Sequence, residues 1–274
     1  MRWLGIDFSG DHTKWRPGCR SSNVWIATLS QKRGWLALAD LRQVQELAGG
    51  APPFVRLAAR LAAGDFAAAA IDAPFSVPER FVPGGQHVEL LGRVAALGGR
   101  RRPFPRGEQL LLTLAPTAPL RGLKAYRATE ELWRRRKLNV RAPLWVKPRG
   151  GAPMTAACLS LLWHSNRPIW PWAQRARRGL LVEGFPAAQL KQWQLPHQGY
   201  SGRTAKARGR RVQVIDALAE HLVIGEASHE LMCASADALD AVVCAFGAVA
   251  VTRGALLDRP GPEARAEGWI AVHQ

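Results

Sequence analysis

Asp7, Asp72, Glu183, Asp237 and Asp240 differ from the other acids of this chain in having mainly apolar neighbours. The opening Arg2-Trp3-Leu4-Gly5-Ile6-Asp7-Phe8-Ser9-Gly10 is an apolar run that ends in one carboxylate and then meets turn residues. Ala67-Ala68-Ala69-Ala70-Ile71-Asp72-Ala73-Pro74 repeats that design, and Leu180-Leu181-Val182-Glu183-Gly184 is a third case. Such runs read as buried strands that deliver an acid to the edge of a sheet and then turn. A carboxylate costs free energy in an apolar place unless it is paired, hydrogen-bonded or bound to a cation. Asp237 and Asp240 lie three apart in Ser235-Ala236-Asp237-Ala238-Leu239-Asp240-Ala241, which begins a strongly apolar helix running to about Thr252 with Ser235 as its N-cap. That spacing places both acids on neighbouring parts of one helix face.

If helix and sheet pack together, oxygen donors from distant parts of the chain converge. Hard oxygen ligands with no nearby histidine or thiolate suit Mg²⁺ or Mn²⁺ better than zinc. Asp7, Asp72 and Asp240 are the expected metal ligands, and Asp237 and Glu183 complete the catalytic candidates. Each acid also has a purely structural explanation. The helix dipole accounts for Asp237, turn formation for Asp7 and Asp72, and pairing with an arginine for Glu183.

The elements that must position these acids read in order. Strands at Arg2–Asp7, Val24–Leu29 and Trp35–Ala39 are spaced as an antiparallel meander. A helix at Pro53–Ala63 and the alanine-rich strand to Asp72 follow. Residues 75–178 read as an insertion or an elaborated helical region, with helical stretches at Val88–Leu97, Ala125–Lys137 and Thr155–Ser165. Next come the Glu183 strand, helices at Ala187–Trp193 and Lys206–Val223, the helix after Ser235, and an edge strand at Gly268–Val272. One domain over residues 1–274 accommodates all of this.

The chain carries 38 Lys plus Arg against 21 Asp plus Glu, a formal charge of +17, together with eleven tryptophans. That charge favours a polyanionic partner, DNA or RNA before an anionic membrane surface, although a high-GC genome would enrich arginine without regard to function. Basic clusters fall mostly in 75–178; Arg101, Arg135, Arg136, Arg177, Lys206 and the loop residue Tyr200 are the candidate nucleic-acid contacts. His197 shares the Tyr200 loop. Four cysteines without metal-ligand spacing fit free thiols in a reducing cytoplasm. No secretory pattern opens the chain, the longest apolar run is too short to span a bilayer, and no obligate protein partner is evident. Phosphate-binding glycine loops and the nucleophile elbow of hydrolases are missing.

Gly5-Ile6-Asp7-Phe8-Ser9-Gly10, Ile71-Asp72-Ala73-Pro74, Glu183-Gly184-Phe185-Pro186-Ala187-Ala188, the Ser235–Ala241 string and Glu267-Gly268-Trp269-Ile270 occur in that order. In this the chain resembles the domain-of-unknown-function 429 family of predicted nucleases. The resemblance implies an α/β, ribonuclease H-like fold: a mixed five-stranded sheet flanked by helices, here with a basic helical and loop insertion. It also implies Asp7 on the first strand, Asp72 on the fourth and the Asp237/Asp240 pair on a late helix, as in RuvC-type resolvases. Relatives tend to carry a lysine after the tyrosine of the Gly-Tyr loop, where this chain has Ser201; Arg203 or Lys206 are the substitutes at hand.

The expected activity is metal-dependent phosphodiester hydrolysis on nucleic acid, with Asp7 bridging two divalent ions about 3.5–4 Å apart. A non-catalytic basic nucleic-acid-binding protein on the same fold is the alternative. An actin-like ATP-using enzyme ranks below both, because Asp72-Ala73-Pro74 supplies no second phosphate loop.

Overall fold

In a computed structural model of the chain, the described residues are 1–274 except 33, 99–101, 120, 148–149, 174–175 and 177. The elements in chain order are β1 (Arg2–Asp7), β2 (Trp25–Lys32), β3 (Trp35–Gln43), α1 (Pro53–Ala62), β4 (Ala68–Asp72), α2 (His87–Ala96), α3 (Gly107–Leu114), α4 (Ala128–Arg135) and α5 (Ala152–Ser165). They continue with β5 (Leu180–Glu183), α6 (Pro186–Gln192), α7 (Ala205–Ala219), β6 (Leu222–Val223), α8 (Glu226–Ala234), α9 (Ala236–Arg253) and α10 (Ala264–Glu267).

The strands form one mixed sheet in the order β5-β4-β1-β2-β3-β6. β1, β2 and β3 are antiparallel neighbours, whereas β4 joins β1 and β5 joins β4 in parallel. The sheet therefore has six strands, not five. The sixth, β6, pairs in parallel with β3 at Leu36–Leu222 and Ala37–Val223, in a segment whose sequence reads as the end of a helix. The helix α7 stops at Ala219, and Leu222-Val223-Ile224 is rich enough in β-branched residues to pair instead. The tail at Gly268–Val272 forms no extended strand; it meets the edge strand β5 at a single bridge, Glu183 to Ile270, where the Ala271 amide donates to the Glu183 carbonyl at 2.9 Å.

Two cores lie on opposite faces of the sheet. Trp3, Ala68, Ala70, Leu180 and Val182 pack towards α7, α8 and α9. Their alternates Leu4, Ile6, Ala69, Ile71 and Leu181 pack towards α1, α2, α3 and α5. This period of two is what a central strand buried on both faces requires. Part of the stretch 75–178 belongs to this core. Ala156, Leu159 and Leu162 of α5, with Leu90 of α2 and Leu110 of α3, fill the second core.

α9 lies against β1 at the distance of backbone contact. A Cβ on Gly5 would overlap the Ala241 carbonyl and the Ala245 amide, and one on Gly184 would overlap the Cys244 sulphur. Small residues on both surfaces permit that approach, which explains the alanines of β4 and α9. At the other end of the helix, Trp3 Nε1 donates to Thr252 Oγ1 at 2.7 Å. Residues 241–245 thus lie over Gly5 and residue 252 over Trp3. α9 runs antiparallel to β1 and brings its N-terminus to the strand's C-terminal edge. Among the described residues no single helix is long and apolar enough to cross a membrane.

Candidate active site

Strand parity decides which acids meet. Asp7 and Asp72 are register partners at the ends of the parallel pair β1 and β4. Counting back by twos, Asp7 shares its face with Gly5 and Trp3, and Asp72 with Ala70 and Ala68, the face covered by α9. The first turns of α9 bring Asp237 and Asp240 to the same edge. All four acids line one cavity of about 990 Å³. Asp7 is 8% exposed at its floor.

The crowding is visible in the acid strengths. Burial pushes the Asp7 carboxyl well above its ordinary range, and the neighbouring charges of Asp240, Asp72 and Asp237 push it the same way. Burial raises Asp240 strongly, helped by the Asp72 charge and opposed by a hydrogen bond from Tyr200. Asp72 is raised to about 7 by burial, with the Arg141 guanidinium opposing and the Glu183 charge adding to the rise. Asp237 is raised by burial against the pull of Lys14. Repulsion of this kind is what a shared cation relieves. The donors are carboxylate oxygens, which fits a hard divalent ion. As the side chains stand, no three His, Cys, Asp or Glu groups among the described residues are arranged to hold a metal ion.

Glu183 belongs to a different arrangement. Its register partner is Ile71, one residue short of Asp72, so its side chain follows the opposite face of the sheet. There it accepts from the Phe75 amide at 3.0 Å and from both terminal nitrogens of Arg127. Arg127 is fully buried and also pairs with Glu130, while its Nη1 donates to the Glu267 carbonyl at 2.9 Å. Glu267 in turn accepts from the amides of Glu79 and Ala128, at 2.8 and 2.6 Å. Glu183 and Glu267 thus tie β5, α4 and the C-terminal segment together, while Glu183 also lines the cavity and its charge acts on Asp72. A polar group buried beside a strand end is satisfied by the nearest partner, and that partner is an arginine.

Tyr200 is buried, and its hydroxyl donates to Asp240 Oδ1 at 2.8 Å. Burial and the Asp240 charge hold its phenol well above the usual range. Its loop is pinned by buried Arg211, whose guanidinium donates to the carbonyls of Tyr200, Gly202 and Cys233. Gly10, beside Asp7, is needed for a different reason from a phosphate turn: a Cβ there would overlap the backbone of Pro153 at the start of α5.

The basic expectations fare unevenly. Arg101 and Arg177 lie outside the described residues. Arg135 and Lys206 are exposed and do not line the cavity. Arg136 is committed to a two-bond pair with Asp258, at 2.6 and 2.7 Å, while lying over the Trp133 ring. Arg203 is exposed and lies outside the cavity lining, as Lys206 does. Among the described residues the lysine and arginine that line the cavity are Lys124 and Arg141, both exposed at its rim. Nothing in the sequence marks these two among 38 basic residues. His197 lines the cavity as well.

The family model described as a protein of unknown function, DUF429, matches residues 5–265. The chain belongs to the DUF429 family. The match takes in all four clustered aspartates, Tyr200 and both rim cations. Neither a curated protein nor a solved structure matches the chain.

Proposed function

We propose that this DUF429 protein is a divalent-metal-dependent phosphodiester hydrolase acting on nucleic acid, built on a ribonuclease H-like fold. The fold reading is supported by the sheet, in which three antiparallel strands are followed by β4 and β5 added in parallel beside β1. The observation that carries the function is the convergence of Asp7, Asp72, Asp237 and Asp240 on one cavity floor, with raised proton affinities.

Asp7, Asp72 and Asp240 would hold Mg²⁺ or Mn²⁺. When bound, such an ion supplies Lewis-acid stabilisation of phosphate charge and acidifies water. The chain's own groups do the rest. Tyr200 fixes the orientation of Asp240 through its 2.8 Å hydrogen bond. Lys124 and Arg141 at the rim attract and hold substrate phosphates. Arg141 also keeps Asp72 more acidic than burial alone would leave it. The protein's charge of +17 favours association with a polyanion.

The test is cleavage of mixed DNA and RNA substrates in Mg²⁺ or Mn²⁺. Loss of at least about a hundredfold in rate in Asp7→Asn and in Asp72→Asn is expected, the scale of removing a charge-stabilising group. Activity surviving both substitutions overturns the assignment. Salt-sensitive binding that persists in EDTA, with no cleavage of any substrate, would favour a non-catalytic binding protein.

A further inference from the structure

One wall of the cavity comes from the chain between Lys124 and Trp145. Tyr126 and Trp145 line the cavity, half-buried, with Asn139 beside them. The Lys124 ammonium lies 5.0 Å from the centroid of the Trp145 ring. Phe185, following β5, adds an aromatic group to the same cavity. Carboxylates, two cations and several aromatic rings thus line one cavity.

We propose that this wall selects single-stranded nucleic acid, with an unstacked base lying against Trp145 while Lys124 and Arg141 hold the flanking phosphates; the Tyr126 ring is already covered by the Arg134 guanidinium, 4.1 Å from its centroid. A duplex has little use for such a surface, because its bases stack on each other and offer only their edges in the grooves. A single strand offers a ring face at every nucleotide, and an aromatic beside a cation takes base and phosphate together. Lys124 is exposed and lies over the Trp145 ring, so a base taking that face displaces its ammonium towards a flanking phosphate. The inference names the substrate class of the proposed hydrolase and rests on that reading for its biological meaning, but its own test needs no catalysis.

Fluorescence anisotropy of the full-length protein in EDTA is the measurement, with labelled oligothymidylate, oligouridylate and a duplex hairpin of equal length. Single strands of either sugar are expected to bind at least about tenfold tighter than the hairpin, the scale of stacking one base. Trp145→Ala should erase that preference and Trp145→Phe should retain most of it. Trp145 is half-buried, so exposed Lys124→Ala provides a variant that leaves the fold alone. It should lower the slope of log affinity against log salt by about 0.7, one single-strand phosphate.

Equal or tighter binding of the hairpin overturns the inference, as does an unchanged single-strand preference in folded Trp145→Ala. Trp145-dependent single-strand binding by a protein that cuts nothing in Mg²⁺ or Mn²⁺ would uphold this inference while ending the hydrolase reading. Metal-dependent cutting by a protein that binds the hairpin equally well would do the reverse.

Discussion

The Tyr200 hydroxyl donates to Asp240 Oδ1 at 2.8 Å, joining a loop after α6 to the first turns of α9. This bond lowers the proton affinity of Asp240 against burial and the Asp72 charge. Tyr200→Phe removes the donor and leaves the ring. Asp240 then ionises at higher pH, so the alkaline rise of the pH–rate profile should move upwards and the rate at neutral pH fall several-fold. Stability should drop by only about 1 kcal/mol, because Arg211 still pins the loop. An unchanged pH profile would remove Tyr200 from the site's chemistry.

Asp72 gives a stability prediction whose sign is opposite to that of a paired surface acid. Its folded pKa is raised from 3.8 to about 7, so the folded protein holds that proton more tightly than the unfolded chain. Stability is then greatest at low pH and declines as pH rises from near 4 through 7. Asp72→Asn should melt above the wild type at pH 8, by about 2–4 °C for each kcal/mol relieved. The gap should close near pH 4. Mn²⁺ should raise the wild-type midpoint at pH 8 and do so less in Asp72→Asn. A thermal melt series in pH and metal checks both.

Arg127 and Glu183 make a buried pair that holds α4 and the C-terminal segment against β5. Arg127→Ala leaves Glu183 and Glu130 buried without their cation, and should cost about 3–5 kcal/mol. Chemical denaturation measures it. Glu183→Gln should destabilise as well, yet its rate per folded molecule should stay within a few-fold of the wild type. A hundredfold loss of rate in folded Glu183→Gln would return Glu183 to the catalytic set.

Gly5→Ala tests the approach of α9 to β1. The added methyl overlaps backbone atoms of Ala241 and Ala245, which cannot rotate away as a side chain can. A loss of more than about 3 kcal/mol is expected. Because the same approach delivers Asp237 and Asp240 to the cavity, any folded remnant should also have lost activity. A soluble, fully active Gly5→Ala protein would contradict the packing described.

Much of this was legible in the sequence for identifiable reasons. Apolar runs closed by Asp7 and Asp72 mark buried strands with acids at their ends, and Ser235 with the apolar run after it marks α9. The missed elements had weaker signals. α3 is a short helix of eight residues in a proline-rich stretch, β6 is two residues long, and α8 follows it closely. Basic clusters in sequence were poor guides to the site, since Arg136 is spent on Asp258. Lys124 and Arg141 reach the cavity from isolated positions.

By itself the sequence determined that carboxylates end buried strands and that two more share a helix face, because both follow from local periodicity. Tertiary structure decided which of them meet. Side chains alternate along a strand, so the pairing of Glu183 with Ile71, one residue short of Asp72, turns it to the opposite face of the sheet. Asp7 and Asp72 are register partners on the α9 face, and Gly5 lets the helix close over them. A one-residue register and a missing Cβ separate the arginine-paired glutamate from the aspartates under α9.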